Sequence, residues 1–353
     1  EFGLTYKLIE QDGFQIDAKV EMLLSSDSPV GIAKSIGLGV IGFADALDRL
    51  QPDILVVLGD RFEILAAVQA ALVARIPVAH IHGGETTEGA MDESIRHAIT
   101  KMAHLHFTTA EVHRRRVIQL GEQPERVYNV GAPGLDNIAQ TELMSGEELE
   151  RSLAFRISYP LFLATYHPVT LANEGPERAV HALFGALDAF PEATVIFTKA
   201  NADTDGRVIN TMIDAYVAEH GNRMIALTTM GQRRYLSAMK YADVVLGNSS
   251  SGIIEAPFMK TATVNIGNRQ GGRLQATSII NCGETTEEIV DALETALSPE
   301  FRSALDGVQS VYGSGTASQA MKHILKNVEL QSLVVKRFYD LAGHDTEQTV
   351  EQQ

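Results

Sequence analysis

Several short motifs set acids, bases and anion donors beside glycines. Gly59-Asp60-Arg61 follows the aliphatic run Ile54–Leu58 and precedes a helical pattern. That order marks the carboxyl edge of a parallel sheet, where ligands bind in such folds. There Asp60 can serve as acid or base, and Arg61 can grip a phosphate with its planar fork. The plain alternative, which spacing alone does not separate, is that Asp60 only caps the helix. His80-Ile81-His82-Gly83-Gly84-Glu85 ends the next strand in the same way. His80 and His82 share a strand face, and the two glycines allow a positive φ or close approach of a ligand. His80 reads as a satisfied core imidazole, while His82 and Glu85 read as functional. No third ligand stands at a recognisable spacing and no H-E-x-x-H pattern exists, so no metal site is expected.

Asp92, Arg96 and His97 fall on one helical stretch, with Asp92 and Arg96 spaced to pair across one turn. If Asp92 merely caps that helix, the pair is a surface detail. If it lies near Asp60 and His82, the three form a cluster of titratable groups of the kind used for acid–base work. Thr165-Tyr166-His167-Pro168 again follows a strand and offers His167 to a ligand, or else to solvent. Gly247-Asn248-Ser249-Ser250-Ser251-Gly252 is the strongest single signal. A strand ends, small donors follow and a helix begins, which makes a ready anion site. It is neither a Walker loop nor G-x-G-x-x-G. Glu255, one turn inside, can hold a ribose diol or reach back as a cap, with Gly252 fitting as N-cap. Arg269 can add a cation. Asn201, just past another strand, is a common turn residue and weak evidence alone.

These motifs need two alternating strand–helix blocks, and the chain supplies them. The first has strands at Ile54–Leu58, Val78–Ile81, Leu105–Thr108 and Val127–Val130, with helices at Phe62–Arg75, Asp92–Ala103 and Glu111–Leu120. Ile54–Leu58 shows no alternation, as for a strand buried on both faces. The second has strands at Leu161–Thr165, Val195–Thr198, Ile225–Leu227, Val244–Leu246 and Thr263–Ile266. The polar stretch 139–159 is the expected crossover. This gives a first domain at 1–150, a second at 151–330, and a helical tail and polar end at 331–353, with Lys322–Leu341 helical. The chain opens almost directly on a helix-like pattern, so the first strand and its turn are expected upstream of Glu1.

The bulk numbers exclude some classes. At 353 residues the chain suits two domains, and 45% hydrophobic with 21% charged residues is a globular balance. Its formal charge of −16 argues against wrapping nucleic acid or adhering to anionic lipid. The apolar runs 53–58 and 64–74 are too short to span a membrane, and no secretory leader is read. A single cysteine, Cys282, precludes an internal disulfide and fits a cytoplasmic location. A homodimer or homotetramer is expected, since soluble enzymes are mostly symmetric homo-oligomers.

Taken together, G-D-R-F-E (59–63), H-I-H-G-G-E (80–85), D-E-S-I-R-H-A-I-T-K (92–101), Y-H-P (166–168), N-A-D-T (201–204) and G-N-S-S-S-G-I-I-E (247–255) resemble the hydrolysing UDP-N-acetylglucosamine 2-epimerases of sialic acid synthesis. The likeness covers nearly the whole chain in order and spacing. It implies an α/β, glycosyltransferase-B-like fold: two Rossmann-like, doubly wound domains facing across a cleft. It implies a reaction without NAD, metal or other cofactor. A base removes the C2 proton of UDP-GlcNAc while UDP leaves C1, water adds to the resulting glycal at C1, and a proton returns to C2 from the other face. The products are N-acetylmannosamine and UDP. By the same resemblance Asp60 and Asp92 are catalytic carboxylates. Arg61, Arg96, His167, Asn201, Ser249, Ser250, Glu255 and Arg269 contact the nucleotide sugar, with His167 against the phosphates and Glu255 on the ribose. Thr229-Met230 meets the uracil through its backbone. The family's opening motif matches only from Glu1-Phe2, which places Gly3 at the ligand. Many relatives carry Glu where this chain has His82. An imidazole does the same proton transfer near neutral pH, and Glu85 is the other candidate for part of that work. The alternative substrate is a UDP-2,4-diacetamido-2,4,6-trideoxy-glucose, leading to legionaminic-type acids. A non-hydrolysing epimerase ranks lower, because its relatives usually read H-x-E-A-G-L. A glycosyltransferase of the same fold and a non-catalytic sensor are the readings from other classes.

Overall fold

The aliphatic runs form parallel strands, and the Ala- and Leu-rich segments between them form the crossover helices, as β–α alternation requires. The structure is a computed structural model and describes residues 6–24, 28–86, 91–168, 176–200 and 206–341. The chain divides into two units, 1–130 with 319–353, and 131–318.

In the first unit the order is α1 (Tyr6–Gln11), α2 (Pro29–Leu50), β1 (Leu55–Leu58), α3 (Phe62–Val73), β2 (Val78–Ile81), α4 (Met91–Met102), β3 (Leu105–Thr108), α5 (Glu111–Gln119) and β4 (Val127–Asn129). The sheet runs β1-β2-β3-β4, all parallel. Leu58, Ile81 and Phe107 share one register row, so the turns after β1, β2 and β3 emerge side by side. β2 and β3 are buried throughout. β1 is not: Val56 and Leu58 are 45% and 54% exposed, which corrects the expectation of burial on both faces. Among the described residues β1 pairs only with β2, and only its Val57 face enters the core with Val68, Ile95 and Ile99.

Helix α2 also corrects the sequence reading. It is long and apolar enough to cross a membrane by length and composition. In the fold its small residues pack on α3: a Cβ on Gly39 would stand 2.8 Å from the Ala66 Cβ.

The second unit runs α6 (Pro133–Gln140), α7 (Gly146–Leu153), β5 (Leu161–Thr165), α8 (Glu177–Asp188), β6 (Thr194–Thr198), α9 (Gly206–Glu219), β7 (Met224–Leu227), α10 (Gln232–Tyr241), β8 (Val244–Gly247), α11 (Ser250–Phe258), β9 (Ala262–Ile266), β10 (Ile279–Cys282), α12 (Thr286–Leu297) and α13 (Pro299–Ala304). Its sheet order is β10-β9-β8-β5-β6-β7. The winding reverses between β5 and β8, which makes their carboxyl ends a topological switch point. β10, absent from the sequence reading, is a short, half-exposed edge strand of sequence Ile-Ile-Asn-Cys. The expected crossover stretch 139–159 lies inside this unit, because α6 packs on α11 and α7 on α10.

Helix α14 (Ala317–Asn327) begins the return to the first unit. The buried Asp136 carboxylate accepts from the Ala317 and Ser318 amides at 2.9 and 2.6 Å, a strong cap for a helix start. The expected single helix over 322–341 is interrupted: a short 3₁₀ turn at Leu330–Ser332 follows α14, and 333–341 is not helical. Contacts with the first unit hold that segment. Arg126 donates to the Leu333 and Ser332 carbonyls, and the Tyr339 amide to the Gly121 carbonyl. Buried Glu122 sits at the centre, receiving Lys101 at 2.6 Å, Lys336 at 2.7 Å and His106 Nε2 at 3.0 Å.

Burial alone would raise the pKa of Glu122, but hydrogen bonds from His106, Lys101 and Lys336 more than offset it and hold it at about 2. Glu122→Gln leaves two lysines without a counter-charge, and breaking a buried pair this way costs about 3 kcal/mol. In urea unfolding at pH 7 the variant is therefore expected to lose that much stability. The depressed carboxylate stabilises above its ordinary pKa of 4.5 and stops doing so as pH falls toward 2. The gap between wild type and variant should narrow across that window. A gap unchanged down to pH 2 would mean that Glu122 does not hold the segment by charge.

Candidate active site

In the first unit, Asp60, His82 and Glu85 on turns and Asp92 and Arg96 on α4 gather at the carboxyl edge of the sheet. Gly59, at φ +87°, turns the chain out of β1 and presents Asp60. Arg61, not Asp60, is the N-cap residue of α3, so the capping alternative for Asp60 fails. The Asp60 carboxylate instead pairs with Arg96 Nη2 from α4. Arg96 is almost fully buried, and its Nη1 donates to the Glu85 carbonyl at 2.9 Å and approaches Glu93 at 3.6 Å. Arg96 thus reaches further than the one-turn pairing with Asp92 expected from spacing. It locks the β1 turn, the β2 turn and α4 together.

Asp92 stands in the first turn of α4. Burial raises its pKa, and the Asp60 charge raises it further against the opposing pull of Arg61 and Arg96. Two carboxylates in mutual repulsion, one of them pushed toward its neutral form, are the arrangement that separates acid from base roles. Arg61 is mostly exposed and forked onto Glu63 at 3.0 and 3.1 Å.

His82 follows β2 directly with φ +71°, a left-handed conformation that a non-glycine residue adopts only when its surroundings enforce it. Its amide is fixed by the Phe107 carbonyl at 3.0 Å, and its Nδ1 lies 2.7 Å from Glu85 Oε1. Glu85 also accepts from Thr109 Oγ1 at 2.8 Å. Burial would raise the Glu85 pKa, but the hydrogen bond and charge of His82, with the Thr109 hydrogen bond, bring it down to about 2. Glu85 is therefore an ionised carboxylate at neutral pH that orients His82. His80 is the core imidazole expected: fully buried, 2.9 Å from the Gly59 carbonyl and 3.2 Å from Thr100, with its pKa lowered to about 3 by burial.

In the second unit, the switch point carries the other group. A Cβ on Gly247, at φ +123°, would fall 2.0 Å from the Thr165 carbonyl oxygen, so only glycine lets β8 end against β5. Fully buried Asn248 then bridges the two strand ends: it accepts from the His167 amide at 2.7 Å and donates to the His167 carbonyl at 2.8 Å. Its own carbonyl receives Arg269 Nη1 at 3.0 Å and Gln270 Nε2 at 2.8 Å. His167, Ser249, Ser250 and Arg269 are thereby gathered around the start of α11. Ser249 is the N-cap, accepting from the Ser251 amide, so the Gly252 cap expected from sequence is displaced by three residues. Glu255 is half-buried one turn on, with its pKa raised by burial, and makes no capping bond among the described residues. The Met230 side chain packs into the core with Leu149, Leu161 and Ile196. Gly3 and Asn201 lie outside the described residues. Among the described residues no group of three metal-ligating side chains occurs.

Sequence reasoning passed over Asn248 and Thr109 as site residues. Each is a polar residue one or two positions beyond a strand's last residue, the signal that found Asp60 and His167. Asn248 was legible on that ground within its motif. Thr109 lies in a run of two threonines where hydroxyls are ordinary.

Comparison with known proteins gives a consistent result. The UDP-N-acetylglucosamine 2-epimerase family matches residues 2–326. The chain is 40% identical to the GDP/UDP-N,N'-diacetylbacillosamine 2-epimerase (hydrolyzing) of Campylobacter jejuni, over 97% of this chain and 88% of that protein. It is 34% identical to the polysialic acid biosynthesis protein P7 of Escherichia coli, over 96% and 87%. Its fold is similar to the crystal structure of the Neisseria meningitidis UDP-GlcNAc 2-epimerase bound to UDP-GlcNAc, with a TM-score of 0.77, 17% identity, and coverage of 91% and 88%.

Proposed function

The chain belongs to the UDP-N-acetylglucosamine 2-epimerase family, and from that premise we propose that it is a hydrolysing 2-epimerase of nucleoside-diphosphate sugars. The favoured substrate is a UDP-2,4-diacetamido-2,4,6-trideoxyhexose. The 40% identity to the Campylobacter enzyme across 97% of the chain carries this choice over UDP-GlcNAc. UDP-GlcNAc is the second reading, supported by the family's own description and by the Escherichia coli relative named for polysialic acid biosynthesis.

The chemistry follows from the first unit's cluster. A base takes the proton from sugar C2 while the C1–O bond to the diphosphate breaks and UDP departs, leaving a C1=C2 double bond. Water adds its oxygen to C1, and an acid delivers a proton to the opposite face of C2. Asp60, Asp92 and His82 are the proton-handling groups. Asp60 and His82 follow neighbouring strands and Asp92 opens α4, with its pKa raised by burial and by the Asp60 charge, which suits it to the acid role. His167, Arg269 and the start of α11 bind the diphosphate as it takes up charge, where fixed donors act most strongly. Glu255 holds the ribose and Met230 offers its backbone to the base.

A proton NMR time course in D₂O tests the reading with three substrates: the UDP-linked diacetamido sugar, its GDP-linked form and UDP-GlcNAc. The expected result is a free 2-epimeric sugar with deuterium at C2, released with nucleoside diphosphate, fastest from the UDP-diacetamido sugar. Faster turnover of UDP-GlcNAc would overturn the substrate choice. A product still bound to nucleotide, or one retaining the C2 proton, would overturn the hydrolysing mechanism.

A further inference from the structure

The turn that carries His82 and Glu85 rests on Thr109, just past β3, and on the first turn of α5, where His113 completes a hydrogen-bonded chain. Thr109 Oγ1 lies 2.8 Å from Glu85 Oε1 and 2.8 Å from His113 Nδ1, and His113 is 5% exposed. The chain of contacts is His82 Nδ1, Glu85 Oε1, Thr109 Oγ1, His113 Nδ1. An ionised carboxylate only accepts, so His82 Nδ1–H and the Thr109 hydroxyl both donate to Glu85. The Thr109 oxygen, its only proton committed, then accepts from His113 Nδ1–H. Every proton in the series is fixed once Glu85 is a carboxylate. Burial lowers the His113 pKa, which keeps the ring neutral in that role.

The packing under this chain is close. A Cβ on Gly84 would stand 2.3 Å from the His113 carbonyl oxygen, and Arg116 donates to the Gly84 carbonyl. From the other side Arg96 holds the Glu85 carbonyl at 2.9 Å. Helix α5 thus presses on the turn that forces His82 into its left-handed backbone. Among the described residues His82 Nε2 has no protein partner.

We propose that Thr109 and His113 are positioning residues that, through Glu85, hold His82 as its Nδ1–H tautomer and leave the Nε2 lone pair to exchange the substrate proton. The proposal rests on the acid–base role given to His82 above. It gives the ring one defined function: Nε2 becomes the single basic atom, at a fixed place. Imidazole in water favours the other tautomer, so the hydrogen bond at Nδ1 is what selects this one.

The test reads the ring nitrogens of His82 by ¹⁵N–¹H correlation in the full chain without substrate, using His82→Gln to assign the signals. With the ring neutral, the wild type is expected to show Nδ1 protonated and Nε2 bare. Thr109→Val should move the population toward Nε2–H and lower kcat by about ten- to a hundredfold at nearly constant KM, the loss of one hydrogen bond to a charged group. Thr109→Ser keeps the hydroxyl and should restore both. His113→Phe should resemble Thr109→Val, and His113→Asn, which retains a donor near Nδ1, should recover part of the rate. A wild-type His82 protonated at Nε2 overturns the proposal without any variant. So does a folded Thr109→Val that keeps both the tautomer and a kcat within twofold. The nitrogen measurement needs no turnover, so failure on every nucleotide sugar would count against the functional reading alone.

Discussion

His82→Gln is expected to lower kcat by about 10²- to 10⁴-fold, the worth of one general acid–base group, while UDP still binds. The glutamine amide fits the space and retains polarity, but it cannot take or give a proton. On the proposed function UDP is bound by the loops around Asn248, which the substitution does not touch. Calorimetric titration with UDP alongside steady-state rates separates the two effects. A kcat within a few-fold of wild type would remove His82 from the chemistry and pass its role to Glu85. The structure speaks against that exchange. Glu85 is held ionised at about 2 by two donors, one of them His82 itself, which suits an orienting group better than a proton carrier.

How far the sequence foretold this site depends on the reach of each interaction. The strand at Leu161–Thr165 and the glycine turns after β1, β2 and β8 were legible, because a short aliphatic run ending in glycine is a local pattern. The separation of His80 from His82 was legible too, since one lies within a strand and the other at its end. The partner of Asp60 was not. Arg96 is 36 positions away, and only the alignment of β1 with β2 and the packing of α4 bring them together. The same holds for Thr109 and His113, which reach Glu85 only because β3 lies beside β2. Spacing along one helix suggested Asp92 for Arg96, and tertiary structure chose Asp60. Helix α2 is apolar along much of its length, and its buried positions are Gly31, Ser35, Gly39, Ala46 and Leu47. The 333–341 segment was read as helix on composition, yet Glu122 and Arg126 hold it in another form from 206 or more positions away along the chain.

Asp60→Asn is expected to be the more damaging of the two carboxylate substitutions, because Asp60 serves two masters. Its loss as a proton-handling group should cost about 10²- to 10⁴-fold in kcat. Its loss as a counter-ion leaves the Arg96 guanidinium, 4% exposed, facing a neutral amide, and removal of one member of a buried pair costs about 3 kcal/mol. Asp92→Asn separates the terms. Asp92 makes no ion pair among the described residues, so its variant should lose turnover on a similar scale and keep its unfolding midpoint. The two carboxylates are also coupled through space. The Asp60 charge helps to raise the Asp92 pKa, so neutralising Asp60 should lower it and deplete the protonated form. Following the Asp92 carboxyl carbon by NMR through an acid titration would show that fall in Asp60→Asn. An Asp92 titration that does not move, with kcat kept within a few-fold, would reduce Asp60 to a structural partner of Arg96. A titration that moves together with the loss of turnover ties the pair to the chemistry, because no packing defect at Arg96 would lower the pKa of a carboxylate that Arg96 itself helps to keep ionised.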